Sequence, residues 1–253
     1  MVESDSAIGG GLLAGALAYR LFVLLLPLVL LLVSGLGIYA GAADESPAKV
    51  AEDAGLHGLI ASHVADTASS PARWIFFVVM IPAVLYALAK LYRAVSIVHA
   101  LAWRGHARGV SISVIGIVLL GVAVVVDLGA VGATGWIRSR TEVGGLLALV
   151  LYFALVGGTW LLVSRRLPGG DAGWRALVPG VLVIATGLLL VNVFNVYVTT
   201  RLVENHANTY GVLGIATALL FSLVLVGRVV VIAAELNASV DQHHRAQRGS
   251  QDG

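Results

Sequence analysis

The chain has 253 residues, no cysteine, a formal net charge of +2 and 12% charged residues, about half the charged share of a soluble domain. The missing cysteines exclude disulfides, zinc–thiolate sites and cysteine nucleophiles. The small net charge, with no run of Lys or Arg, excludes a nucleic-acid footprint, and the mean hydropathy of +0.93 points to lipid as the solvent.

Six apolar stretches follow one another at 10–41, 74–98, 110–136, 143–163, 175–199 and 210–236. A helix needs about 20 mostly apolar residues to cross a hydrocarbon core about 30 Å thick, and each stretch meets that length. Lipid offers the backbone no hydrogen-bond partner, so a span must satisfy its own N–H and C=O groups. A barrel would need short strands of alternating hydrophobicity, and Leu24–Leu32 and Val114–Val126 do not alternate. The expected architecture is therefore an all-α membrane protein. It is a bundle of six transmembrane helices in one domain, 1–241, with a polar tail, 242–253, expected to be disordered.

Taken in chain order, the first apolar run ends in Ala40-Gly41-Ala42 like a cleavage site. It is too long for a signal peptide, and its acidic Glu3 and Asp5 replace the usual basic residues, so it reads as a retained span. The loop at 43–73 is the one long excursion. Ser46-Pro47 is a helix start. Val50, Ala54, Ile60 and Val64 then recur at near-helical spacing among Glu52, Asp53, His57 and His63. This predicts an amphipathic helix on the outer surface. His57 and His63 fall on different faces and His206 lies in another loop, so no metal site is expected. Pro168 with Gly169-Gly170 marks a tight turn between spans four and five.

Lys and Arg gather on the cytoplasmic side of spans. Lys90, Arg93, Arg104, Arg108, Arg165, Arg166, Arg175, Arg245 and Arg248 fall on one side. The smaller set of Lys49, Arg73, Arg138, Arg140 and Arg201 falls on the other. Both termini are expected in the cytoplasm and the 43–73 loop outside.

A charge at mid-helix costs at least about 2.5–3.5 kcal/mol on insertion scales, so ionised residues inside spans are functional candidates. At 1.5 Å per residue, Arg20 lies roughly 15 Å from the inner end of its span and Arg228 roughly 25 Å from the outer end of its own. With Lys90, Arg93 and Glu235 they converge on the inner half. One reading is snorkelling and structural pairing. The other is a cationic cavity open to the cytoplasm, taking an anionic group such as a lipid headgroup phosphate. Asp127, Asn192 and Asn195 form a second set in the outer halves. They serve either interhelical hydrogen bonding or the lining of a pathway. Gly11-x-x-x-Gly15 and Gly129, Gly132 and Gly135 invite close helix contact, and Pro27 and Pro82 are expected to kink their spans.

The last span carries the most specific pattern, Tyr210-Gly211-Val-Leu-Gly214 followed by Ala-Ala-Glu235-Leu236-Asn237-Ala238. It resembles the closing "YGxLG…GAELNA" signature of the YihY/virulence factor BrkB family, with Ala234 in place of the usual glycine. Val178-Pro179-Gly180 and Phe194-x-x-Tyr197 are similar to that family's fifth span. Ala18-Tyr19 and Pro27 are similar to its first, with Leu24 where a serine is usual and Arg20 where an uncharged residue is usual. Leu88-Ala-Lys90-Leu-Tyr92-Arg93-Ala resembles its second-span exit.

The resemblance implies a multi-pass protein of the bacterial inner membrane with both termini inside. It implies no enzyme activity, because the ribonuclease label the family has carried is regarded as a misassignment. No cofactor and no metal are expected, and the expected partners are membrane lipids. The main expectation is a transporter or flippase-like protein for an amphipathic or anionic solute. The alternative is a non-transporting scaffold for envelope assembly or for stress or serum resistance.

Overall fold

A computed structural model describes residues 9–43, 73–107, 109–110, 112–138, 144–168, 173–195 and 211–249. These form six helices and, among the described residues, no strand: α1 (Gly10–Ala43), α2 (Arg73–Arg104), α3 (Val114–Arg138), α4 (Gly144–Ser164), α5 (Trp174–Phe194) and α6 (Gly211–Gly249). Five of them, α1, α2, α4, α5 and α6, are long and apolar enough to cross a membrane; in α3 the apolar stretch is Val114–Ala130. The amphipathic helix expected in the 43–73 loop lies outside the described residues, as do His57, His63, His206, Tyr197 and Tyr210.

The helices coincide with the apolar stretches, but three ends differ from expectation for local reasons. The third helix begins at Val114 and not at 110, because the Ser113 hydroxyl accepts the Gly116 N–H at 3.1 Å and so caps it. The second runs past Val98 to Arg104, where Gly105 turns left-handed at φ +71° and its N–H closes on the Leu101 carbonyl at 2.9 Å. The sixth does not stop at Leu236. It takes in the polar tail, expected to be disordered from Gln242, as far as Gly249. No Gly or Pro interrupts 228–248, and Asp241 pairs with Arg245 one turn on at 2.7 Å.

Contacts divide the chain into two units, Met1–Arg20 with Lys90–Gly253, and Leu21–Ala89. In the second unit Pro27 and Pro82 sit inside helices that continue unbroken through them. A Cβ at Gly35 there would touch the Phe77 ring at 3.6 Å. In the first unit α3 packs on α4, α4 on α5 and α5 on α6. Tyr92 is fully buried, with its ring over Gly116 and its hydroxyl donating to the Arg166 carbonyl at 2.9 Å. One side chain thus joins the end of α2, the start of α3 and the end of α4.

Side chains are distributed as in a lipid-immersed bundle. Leu12, Leu26, Ile75, Val114 and Leu146 are each more than 60% exposed, a pattern that would aggregate in water. Small residues such as Ala14, Ala185, Ala233 and Ala234 are buried instead, and these let helix backbones approach closely without a hydrophobic drive between helices.

Close approach falls at glycines other than the three described ones that the spacing picked out. Gly11, Gly15 and Gly129 meet no neighbour among the described residues, whereas Gly180, Gly187 and Gly227 have no room for a Cβ. A Cβ at Gly227 would strike the Ala14 carbonyl, which is backbone and cannot swing aside; one at Gly158 would meet nothing. Gly227→Ala is therefore expected to destabilise the protein by about 1–3 kcal/mol, while Gly158→Ala stays within about 0.5 kcal/mol. Thermal unfolding in detergent, followed by circular dichroism, separates the two.

Candidate functional site: the polar residues within the bundle

The residues of the inner set occupy different environments. Arg93 is exposed, whereas Arg20, Lys90, Arg228 and Glu235 are half-buried. The Arg20 guanidinium lies 5.8 Å from the centre of the neighbouring Tyr19 ring, a cation–π distance. Lys90, Arg228 and Glu235 each engage another group of the chain. Arg228 and Glu235 are seven residues apart on α6, about two turns and so on one face.

The outer set separates into two interhelical contacts. Asp127, half-buried on α3, faces the buried Tyr152 of α4, whose hydroxyl points at Asp127 Oδ1 from 3.4 Å, a long and therefore weak hydrogen bond. Asn195 closes α5, its N–H bonded to the Asn192 carbonyl, and its side-chain oxygen accepts the Ser222 hydroxyl of α6. The Phe194 and Phe221 rings pack beside this pair at 5.6 Å. Tyr152 and Ser222 were missed in the sequence. Neither stands out there, because Tyr and Ser are ordinary residues in apolar helices and their partners lie on other helices.

Two of the family-like motif residues, Gly180 and Asn237, meet. The Gly180 N–H donates to Asn237 Oδ1 at 2.7 Å in a buried contact. A Cβ on Gly180 would lie 2.5 Å from the Asn237 amide and 2.6 Å from the Ala233 carbonyl, so only glycine fits. Pro179, which has no N–H to donate, precedes it inside α5. Asn237 is itself 2% exposed.

The two contacts define a register. Gly180 and Asn195 are fifteen residues apart on α5, as are Asn237 and Ser222 on α6, in the opposite order. The helices are therefore antiparallel, tied at two points about 22 Å apart along their axes. Between the ties Gly187 receives Val229. The remaining motif positions that fall in described segments are Pro27, inside α1, and Gly211 and Gly214, in the first turns of α6.

Such an arrangement can hold a helix pair rigid. Removing the Asn237 amide leaves the Gly180 N–H buried without its acceptor, at a cost of about 1–3 kcal/mol. The side-chain pair at Ser222 is worth less, about 0.6 kcal/mol by the average for interhelical bonds in membranes. Thermal unfolding of Asn237→Ala and Asn195→Ala is expected to show the larger loss in the first, and a larger loss in the second contradicts the assignment.

Neither a curated protein nor a solved structure matches the chain. The family model described as virulence factor BrkB matches residues 6–252, nearly the whole length and all six helices. Gly180 and Asn237, two of the residues that resemble that family's motif, form one of the two ties between α5 and α6, and the chain belongs to the virulence factor BrkB (YihY) family.

Proposed function

We propose that this family member is a transporter or flippase-like protein of the bacterial inner membrane, moving an amphipathic or anionic solute. In this reading it crosses the bilayer six times, with both termini in the cytoplasm and the 43–73 loop outside. The 25 residues of α3 span about 37 Å, enough for the sixth crossing. It is not an enzyme and needs no cofactor.

One observation carries the reading. Arg20, Lys90, Arg228 and Glu235 are held half-buried within helices whose outward faces are apolar. Charges in such places are costly and are kept where they bind or conduct. Arg228 is informative among them, because six apolar residues of α6, nearly two turns, lie between it and Glu235, so it does not sit at the helix end.

The test is reconstitution in vesicles containing a fluorescent NBD-labelled phosphatidylglycerol, with dithionite quenching reporting exchange between leaflets. Protein-containing vesicles are expected to lose protected signal faster than empty ones, and Arg228→Leu is expected to slow that loss about tenfold. Equal rates in full and empty vesicles contradict the reading and favour the scaffold role.

A further inference from the structure

The ends of α3, α4 and α5 enclose a groove of about 640 Å³, within the range of small-molecule sites. Its walls divide by chemistry. Ile115 and Leu119 lie one turn apart on α3, and with Leu162 of α4 they form an apolar face. Arg165 and Arg166 lie in the turn just past Ser164, where α4 ends, and line the same groove. The fourth side is Gly173 and Trp174, where α5 begins.

The groove has the polarity of a membrane interface. Below it runs the apolar length of α4; at its rim are two exposed arginines. Ile115, Leu162 and Trp174 are 54%, 49% and 55% exposed, so the apolar face is open to whatever surrounds the bundle. Tryptophan at a helix end is the side chain that sits at headgroup level. A third cation, Arg175, stacks on the Trp174 ring at 5.5 Å.

Among the described residues, the groove lining contains no acidic side chain. The first turn of α5 has none either, and Gly173 offers no side-chain cap. The positive end of the α5 dipole therefore adds to the two arginines. The backbone that carries them is firmly placed: Arg166 N–H bonds Val163 at 2.9 Å, and its carbonyl is held by Tyr92.

We propose that this groove is a binding site for an anionic glycerophospholipid. Its phosphate lies between Arg165, Arg166 and the start of α5, and its acyl chains lie along Ile115, Leu119 and Leu162. Basic recesses between transmembrane helices at headgroup depth take such lipids. A free anion would use the rim alone and leave the apolar wall bare; a zwitterionic lipid would gain less from a rim that carries cations. The site is separate from Arg20 and Arg228 and needs only that the chain sits in a bilayer, so it stands or falls apart from transport.

Native mass spectrometry of the full chain, released from micelles holding equal phosphatidylglycerol and phosphatidylcholine of matched chains, tests it. Phosphatidylglycerol adducts are expected to exceed phosphatidylcholine adducts about tenfold, the ratio that 1.4 kcal/mol gives. Arg165→Gln with Arg166→Gln abolishes the preference, while Arg104→Gln with Arg245→Gln, at exposed cations elsewhere, keeps it. Each single replacement weakens it in part, which keeps the test open if the double variant does not fold. Leu162→Gln lowers adduct number with no change of charge. Absence of preference, its survival in the Arg165/Arg166 variants, or equal loss in the Arg104/Arg245 variant overturns the proposal. Unchanged adducts in Leu162→Gln overturn the lipid as occupant.

Discussion

A polypeptide in hydrocarbon has no water with which to bond, and every polar group that leaves the regular helix ladder must be answered from within the chain. The contacts of this protein follow from that constraint. Beside Pro179, near the start of α5, Asn237 reaches from α6 to the Gly180 N–H. Where α4 ends, Tyr92 reaches from α2 to an Arg166 carbonyl. Where α3 begins, Ser113 takes a free N–H itself. Each answer comes from a residue of modest polarity whose remaining bulk packs among apolar neighbours.

The same constraint separates what holds the bundle together from what orients it. Interhelical hydrogen bonds in membranes average about 0.6 kcal/mol each, so two of them do not account for the α5–α6 association. Close packing of backbone on small residues does more: Gly180 against the Ala233 carbonyl and Gly187 against Val229. Packing of small residues is tolerant of sliding, however, and a polar tie is not. Asn237 with Gly180 at one level and Asn195 with Ser222 at another admit one register. Those ties also change how the BrkB motif is understood. Its glycine and asparagine serve the docking of two helices, which leaves any solute-handling role to the half-buried charges.

The helices were legible because a lipid-crossing segment must be long and apolar, and no other element in this chain is. Their ends were less so. The cap at Ser113 reads correctly only once the true first turn is known, and the run of α6 past Leu236 depends on the absence of a stop signal. Contacts were the least legible. Gly11-x-x-x-Gly15 has the spacing of a packing motif, yet nothing lies against it among the described residues, because spacing gives a face and not a neighbour. Gly227, with no glycine three or four residues away, lies against backbone. Asp127 stands out in the sequence as a candidate for an interhelical hydrogen bond or a pathway lining, but its partner Tyr152 has no sequence mark. Asn237 was visible as part of a motif, and its role was not, since Gly180 is 57 residues away.

The antiparallel register of α5 and α6 is the claim on which the reading of the motif rests, and the natural lack of cysteine allows a direct measurement. A Cβ at Gly187 would stand 3.1 Å from that of Val229, so a shift apart of a few tenths of an ångström reaches the roughly 3.5–4.5 Å that a disulfide spans. Oxidising membranes that carry Gly187→Cys with Val229→Cys is expected to yield an intramolecular cross-link, seen as a shift in gel mobility that a reductant reverses. Gly187→Cys with Val231→Cys, which turns the second thiol to another face of α6, is expected to yield none. Cross-linking in the second pair and not the first would contradict the account.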